Sequence, residues 1–304
     1  MRLATATLSS GPRACLIAAD GTLVPVDEAV SGAPRDMLGV LDAGSALWDR
    51  LRAAAVTAKG GTALAGATLL APIPRPRRNV VCVGLNYKDH VAESTSAKRT
   101  PVVPSDGKQP QWPALFSKQP ATVIGPGAAI LHSAPSSDQL DWEVELAAVI
   151  GTPGKDIAED RALSHVFGYT IANDISVRDI QMRHAGQWFK GKNFDTHLPL
   201  GPWIVTADEF GEPNRGEGRT LRLRVNGVQK QESQTGLMIF TVARIVSEVS
   251  RGMALEPGDV IITGTPSGVG FARIPPEFLK VGDVVEAEIE GIGVLRNTVA
   301  AAQP

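Results

Sequence analysis

The chain has 304 residues, 43% of them hydrophobic, and a formal net charge of −2 with acidic and basic residues interspersed. That length and apolar content allow a sizeable core, arranged as one large domain plus a small one. The charge balance offers no nucleic-acid-binding surface, and no apolar stretch approaches the roughly 20 residues a membrane span needs.

The first apolar run, residues 15–19 after Arg13, is too short for a secretory leader. Two cysteines, Cys15 and Cys82, make neither a disulfide framework nor a zinc site. A soluble protein of the cytoplasm is the expectation. Residues 1–75 read as a small α/β domain. Two short strands flank a turn at Asp20 and Gly21, and Met37, Leu38, Leu41, Leu47 and Leu51 follow at helical spacing. Pro72, Pro74 and Pro76 then mark a linker.

Residues 76–304 form the larger unit, in which strands dominate: 79–84, 144–150, 203–206, 220–226, 259–263 and 283–290. Helical patterns are assigned to 158–173 and 241–253. Strands joined mostly by hairpins predict a β-rich α+β domain, not a doubly wound sheet. The dinucleotide, P-loop and nucleophile-elbow motifs are absent.

One stretch, "DWEVELAAVIG" at 141–151, carries an internal conflict. Trp142, Val144 and Leu146 alternate as a core-facing set, which places Glu143 and Glu145 side by side on the other face. Buried without partners, these carboxylates repel; a divalent cation with oxygen ligands removes the conflict. A solvent-facing strand edge is the competing reading. Asp174, in "GYTIANDISVRDIQ", is either a third carboxylate for such a site or part of a helix N-cap. In "VGLNYKDHVAE", His90 and Glu93 are i, i+3 neighbours that could share a proton or merely begin a solvated helix. Lys192 lies near a turn, and "ITGTPSGVGFA" at 262–272 is a glycine-rich loop that a ligand could approach.

Taken together in order and spacing, "GLNYKDHVAE", "DWEVELAAVIG", "GYTIANDISVRDIQ", "GKNFDTHLPLGPW" and "LEPGDVIITGTPSGVG" resemble the fumarylacetoacetate hydrolase superfamily, from about residue 78 to the end. The likeness is to its acylpyruvate hydrolase and 2-hydroxyhepta-2,4-diene-1,7-dioate isomerase members. It implies a mixed β-sandwich roll, usually homodimeric, with Mg²⁺ or Mn²⁺ held by Glu143, Glu145 and Asp174. It further implies catalytic roles for His90, Glu93 and Lys192, and substrate contacts at Arg178, Gln181, Lys192 and Thr265. The expected substrate is a small 2-oxo acid. The leading expectation is hydrolysis of a carbon–carbon bond in a 2,4-dioxo acid through a metal-stabilised pyruvate enolate. Oxaloacetate decarboxylation or tautomerisation, isomerisation of unsaturated 2-oxo diacids, and non-catalytic 2-oxo-acid binding are the alternatives. Residues 94–111, rich in proline and polar groups, are expected to form a mobile segment that closes over substrate.

Overall fold

The computed structural model describes residues 1–96 and 110–302. Strand β1 (Arg2–Leu8) pairs with β2 (Gly11–Ile17), which pairs with β3 (Thr22–Pro25) across the expected turn. The helical pattern that follows is realised in two pieces, α1 (Met37–Asp42) and α2 (Ser45–Thr57). Gly44 separates them at a φ of 72°, a left-handed conformation that ends one helix before the next begins.

The central elements follow in order. They are β4 (Val80–Gly84), α3 (Lys88–Ser96), β5 (Ala114–Lys118), β6 (Val144–Ile150) and β7 (Val166–Asn173). Then come α4 (Arg178–Arg183), the helical turn α5 (Phe189–Lys192) and β8 (Leu198–Thr206). A hairpin of β9 (Thr220–Val225) and β10 (Val228–Gln234) turns at Asn226 and Gly227, both at positive φ. Helix α6 (Val242–Ser250), β11 (Val260–Ile262), β12 (Val284–Ile289) and β13 (Gly293–Ala301) complete the chain.

The helix expected over 158–173 is a strand for half of its length. A 3₁₀ segment covers Glu159–His165, and β7 occupies the rest. Every residue of β7 is buried, with β6 hydrogen-bonded on one edge and β8 on the other. Val166, Phe167, Tyr169, Thr170 and Ile171 are β-branched or aromatic, and a strand covered on both faces shows no polar alternation to betray it.

One large sheet runs in the order β3–β2–β1–β8–β7–β6–β11–β4–β5. The N-terminal strands join it directly, because Leu3 of β1 pairs with Ile204 of β8. A second sheet runs β10–β9–β12–β13 and ends on Ala129–His132. The fold is therefore α+β and sheet-rich. Between the sheets, Leu146, Ala148 and Ile171 pack against Leu223, Val285 and Ala287. On the opposite face Ala147, Val149 and Phe167 are covered by Leu41 of α1 and by Trp48 and Leu51 of α2. Trp48 meets Phe167 edge-on, with ring centroids 4.9 Å apart. Among the described residues no helix is long and apolar enough to cross a membrane.

Each large apolar side chain fully buried in this way contributes about 1.5–3 kcal/mol. A chain beginning at residue 76 should therefore expose the Ala147, Val149, Phe167, Leu200 and Ile204 face and aggregate or melt well below the full chain. A soluble fragment with an unchanged melting temperature would show that the first 75 residues are dispensable to the fold.

Candidate active site

The antiparallel pairing of β6 with β7 builds the site. Val144 lies opposite Asn173, so the residues just beyond them, Glu143 and Asp174, face each other at one end of the sheet. Their backbones are joined by Asp174 N–H donating to Glu143 O at 2.9 Å, and the Asn173 side chain accepts from Glu143 N–H at 2.9 Å. Glu145 is two residues along on the same face. Glu143, Glu145 and Asp174 are all buried, and they offer carboxylate oxygens within 4.8 Å of one another. Asp174 does not cap a helix: the residue before α4 is Val177, which makes no side-chain cap.

Cations surround this acidic cluster. Lys192 Nζ donates to Glu143 Oε2 at 2.8 Å and to Asp174 Oδ2 at 2.6 Å. Lys118 Nζ lies 2.8 Å from Asp174 Oδ1 and donates to Ile175 O at 3.0 Å. Arg178 pairs with Glu143 Oε1 at 2.6 Å, with Asp141 Oδ2 at 2.8 Å and with Gln181 Oε1 at 3.1 Å. Lys118, absent from the sequence-derived set, is the fully buried last residue of a strand whose other residues are partly or fully exposed. Asp141 was missed too; it accepts from the backbone N–H of Gly270 and Phe271 while holding Arg178.

These contacts divide the carboxylates. Burial opposes ionisation of Glu143, but Lys192, Arg178 and His90 together hold its carboxyl well below the usual range. Glu145 goes the other way: burial raises it, and the nearby charges of Asp174 and Glu143 raise it further. Its described partner is the Gly264 backbone N–H at 2.6 Å, and it has no ion pair among the described residues. Asp174 Oδ1 accepts no well-directed hydrogen bond. Buried oxygen-only donors, one of them short of positive charge, fit a hard divalent cation such as Mg²⁺ or Mn²⁺.

The expected acid/base pair forms on α3. His90 Nδ1 lies 2.9 Å from Glu93 Oε1, and Glu93 Oε2 also accepts from Gly268 N–H at 2.9 Å. With Nδ1–H given to a carboxylate, Nε2 is the nitrogen available for chemistry. Ser267 Oγ donates to Asp89 Oδ2 at 2.6 Å, so the glycine-rich loop docks α3 at two points. Asn86 fixes the helix entry, donating to Phe240 O and Thr263 O and accepting from Phe240 N–H. His90, Glu143, Glu145, Arg178, Gln181, Lys192 and Thr265 line one cavity. Of the expected substrate contacts, Arg178 is engaged by protein groups as described. Thr265 Oγ1 donates to Val144 O at 3.0 Å and accepts from Gln231 at 2.8 Å. The segment expected to close over the site lies for the most part, at 97–109, outside the described residues.

Fold and site together define a class: the chain belongs to the fumarylacetoacetate hydrolase family, whose model, described as "Fumarylacetoacetate (FAA) hydrolase C-terminal", matches residues 79–300. The chain is 43% identical over 267 residues, 88% of its length and 80% of the relative's, to "Oxaloacetate tautomerase FAHD2A, mitochondrial" of Bos taurus. It is 44% identical over 231 residues, 76% of its length and 72% of the relative's, to "Oxaloacetate tautomerase YisK" of Bacillus subtilis (strain 168). Its structure is similar to that of maleylpyruvate hydrolase from Sphingobium sp. SYK-6 in complex with manganese (II) ion and pyruvate. There the TM-score is 0.77 and the identity 26%, with 100% of both chains covered.

Replacing Glu145 with Gln should leave the metal-free protein as stable as the wild type or more so, because it removes a repelling buried carboxyl. A cation at about a hundred times its Kd stabilises a protein by about 2.7 kcal/mol. Melting curves with Mn²⁺ and with chelator should show a gain of that order in the wild type and almost none in Glu145→Gln. Equal gains in both proteins would remove Glu145 from the metal site.

Proposed function

We propose that this chain interconverts the enol and keto forms of a small 2-oxo dicarboxylate, oxaloacetate. The observation that carries the reading is that His90, hydrogen-bonded to Glu93, lines the same cavity as Glu143 and Glu145 of the buried acidic triad. The two oxaloacetate tautomerases to which the chain is similar support it. A cation held by Glu143, Glu145 and Asp174 would supply Lewis acidity toward the 2-oxo group.

The chain's own residues have three tasks. His90 Nε2 removes a proton from C3 of the keto form and returns it when the reaction runs in reverse. Glu93, accepting from Nδ1–H, orients the ring and stabilises the imidazolium formed in between. Lys192, already among the carboxylates, offers an ammonium donor to the oxygen on C2, where negative charge develops. The proton taken from C3 is balanced by one gained at that oxygen. No water is consumed and no carbon–carbon bond breaks.

The expected carbon–carbon hydrolysis is the second reading, and the similarity to maleylpyruvate hydrolase favours it. It requires, beyond the proton relay, a water held against the distal carbonyl. Tautomerisation needs the relay alone. Spectrophotometric decay of oxaloacetate enol, run beside an acetylpyruvate hydrolysis assay, separates the two. Rapid enol decay with negligible hydrolysis is expected, and the converse would restore the hydrolase.

His90→Ala should lower kcat for enol decay by about 10²–10⁴-fold, the usual loss for a positioned acid/base. Mn²⁺ affinity, measured by calorimetry, should be unchanged. Near-normal turnover in this variant would mean the proton moves through another group.

A further inference from the structure

One wall of the cavity has no part in the triad or the proton relay. It is Trp188, buried and one helical turn before Lys192, whose backbone N–H donates to Trp188 O at 3.2 Å. The ring is clamped on two sides. Phe116 meets it edge-on with centroids 5.3 Å apart, and a Cβ at Gly84 would come within 2.4 Å of its far edge. Phe116 also carries the Lys192 ammonium 4.9 Å from its ring centroid, so wall and lysine pack as a unit. The indole lines the same cavity as Glu143 and Glu145.

The indole also brings a donor. Among the described residues that line the cavity, the buried side-chain nitrogen and oxygen atoms without a hydrogen bond are Trp188 Nε1 and Arg178 Nη2. Arg178 Nη2 is nevertheless ion-paired to Glu143 at 2.6 Å. Trp188 Nε1 has no acceptor among the described residues. Buried indole N–H groups ordinarily find one, because leaving the bond unmade is costly.

We propose that Trp188 selects the second carboxylate of the substrate. Its Nε1–H donates to the distal carboxylate of a four-carbon 2-oxo dicarboxylate, and its ring blocks longer acyl chains. This assignment rests on the enolisation reading above and adds the residue that recognises the end of the substrate remote from the triad. Lys118 and Arg178 are committed to groups of the protein, and the one N–H that Lys192 has left serves the oxygen on C2. A neutral donor recognises one more carboxylate without competing for them. A methyl group in the same place would leave the N–H unpaired, which is the stronger basis for discrimination.

The test uses ligands that cannot tautomerise. Malate and 2-hydroxybutyrate share a 2-hydroxy acid head and a four-carbon length but differ in the distal carboxylate. Oxalate provides a chelating head with nothing beyond it. Calorimetry on the Mn²⁺-loaded wild type should show malate binding about 10- to 100-fold tighter than 2-hydroxybutyrate, the range for one charge-assisted hydrogen bond. Trp188→Phe keeps an aromatic wall without the donor and should bring that ratio close to unity, with oxalate binding unchanged. Trp188→His, which retains a ring N–H, should restore part of the preference. Equal affinities of the wild type for malate and 2-hydroxybutyrate overturn the proposal without recourse to any variant. So does a preference that survives in Trp188→Phe, or a parallel loss of malate and oxalate. Failure of the tautomerase reading would show differently, as absent oxaloacetate turnover with the malate preference intact.

Discussion

Three carboxylates at the dry end of a β-sheet are the constraint around which the rest of this structure is arranged. Glu143, Glu145 and Asp174 are buried together, and each ion placed there loses hydration worth several kcal/mol. A neighbouring opposite charge at about 4 Å returns about 4 kcal/mol at an effective dielectric near 20. Loss and gain nearly offset, so the cluster adds little to stability. Its cations come from three separate elements: Lys118 from the strand β5, Lys192 from the helical turn α5 and Arg178 from α4. A group this costly to assemble and this poor as a staple points to chemistry.

Satisfying that constraint fixes much of the surrounding fold. Glu143 and Asp174 meet only because β7 runs antiparallel to β6 in a register that places Asn173 opposite Val144. Lys118 reaches Asp174 only because β5 closes the sheet beside β4, with Lys118 opposite Val80. Asp141 in turn holds Arg178 against Glu143, and the Arg178 guanidinium stacks 4.4 Å from the Phe271 ring centroid. Burial of β6 on both faces excludes the water that would otherwise screen these charges.

What the sequence discloses follows the range of each interaction. The Glu143–Glu145 pair is legible because Glu145 sits on β6 and Glu143 immediately precedes it in extended sequence, where alternation alone assigns their face. His90 and Glu93 are legible for a similar reason, being one helical turn apart. The glycine-linked hairpin at Asn226 needs only local turn chemistry. Lys118 was missed because its partner is 56 residues away and the strand pairing that joins them leaves no local mark. The strand Val166–Asn173 was misread because covering both faces erased the alternation that would have distinguished it from a buried helix. The N-terminal strands, in turn, read as a hairpin of their own; nothing near them announces that β1 will pair with β8 some 200 residues later.

The glycine-rich loop after β11 shows how the two halves of the site are kept in step. Gly264 N–H holds Glu145, the Thr265 hydroxyl holds the carbonyl of Val144, and Gly268 N–H holds Glu93. Backbone donors can come this close only where no side chain intervenes. Gly264 and Gly268 sit at φ of 96° and 99°, and a Cβ would meet Asn86 at 2.7 Å in one case and the Lys230 carbonyl at 2.2 Å in the other. Asn86 is also the residue that anchors the entry to α3, so the loop packs against the base of the helix whose Glu93 it grips. A shift of this loop would therefore disturb a triad carboxylate and the acid/base pair together. A few backbone N–H groups on one short segment without a charged side chain thus tie a triad carboxylate to the acid/base pair.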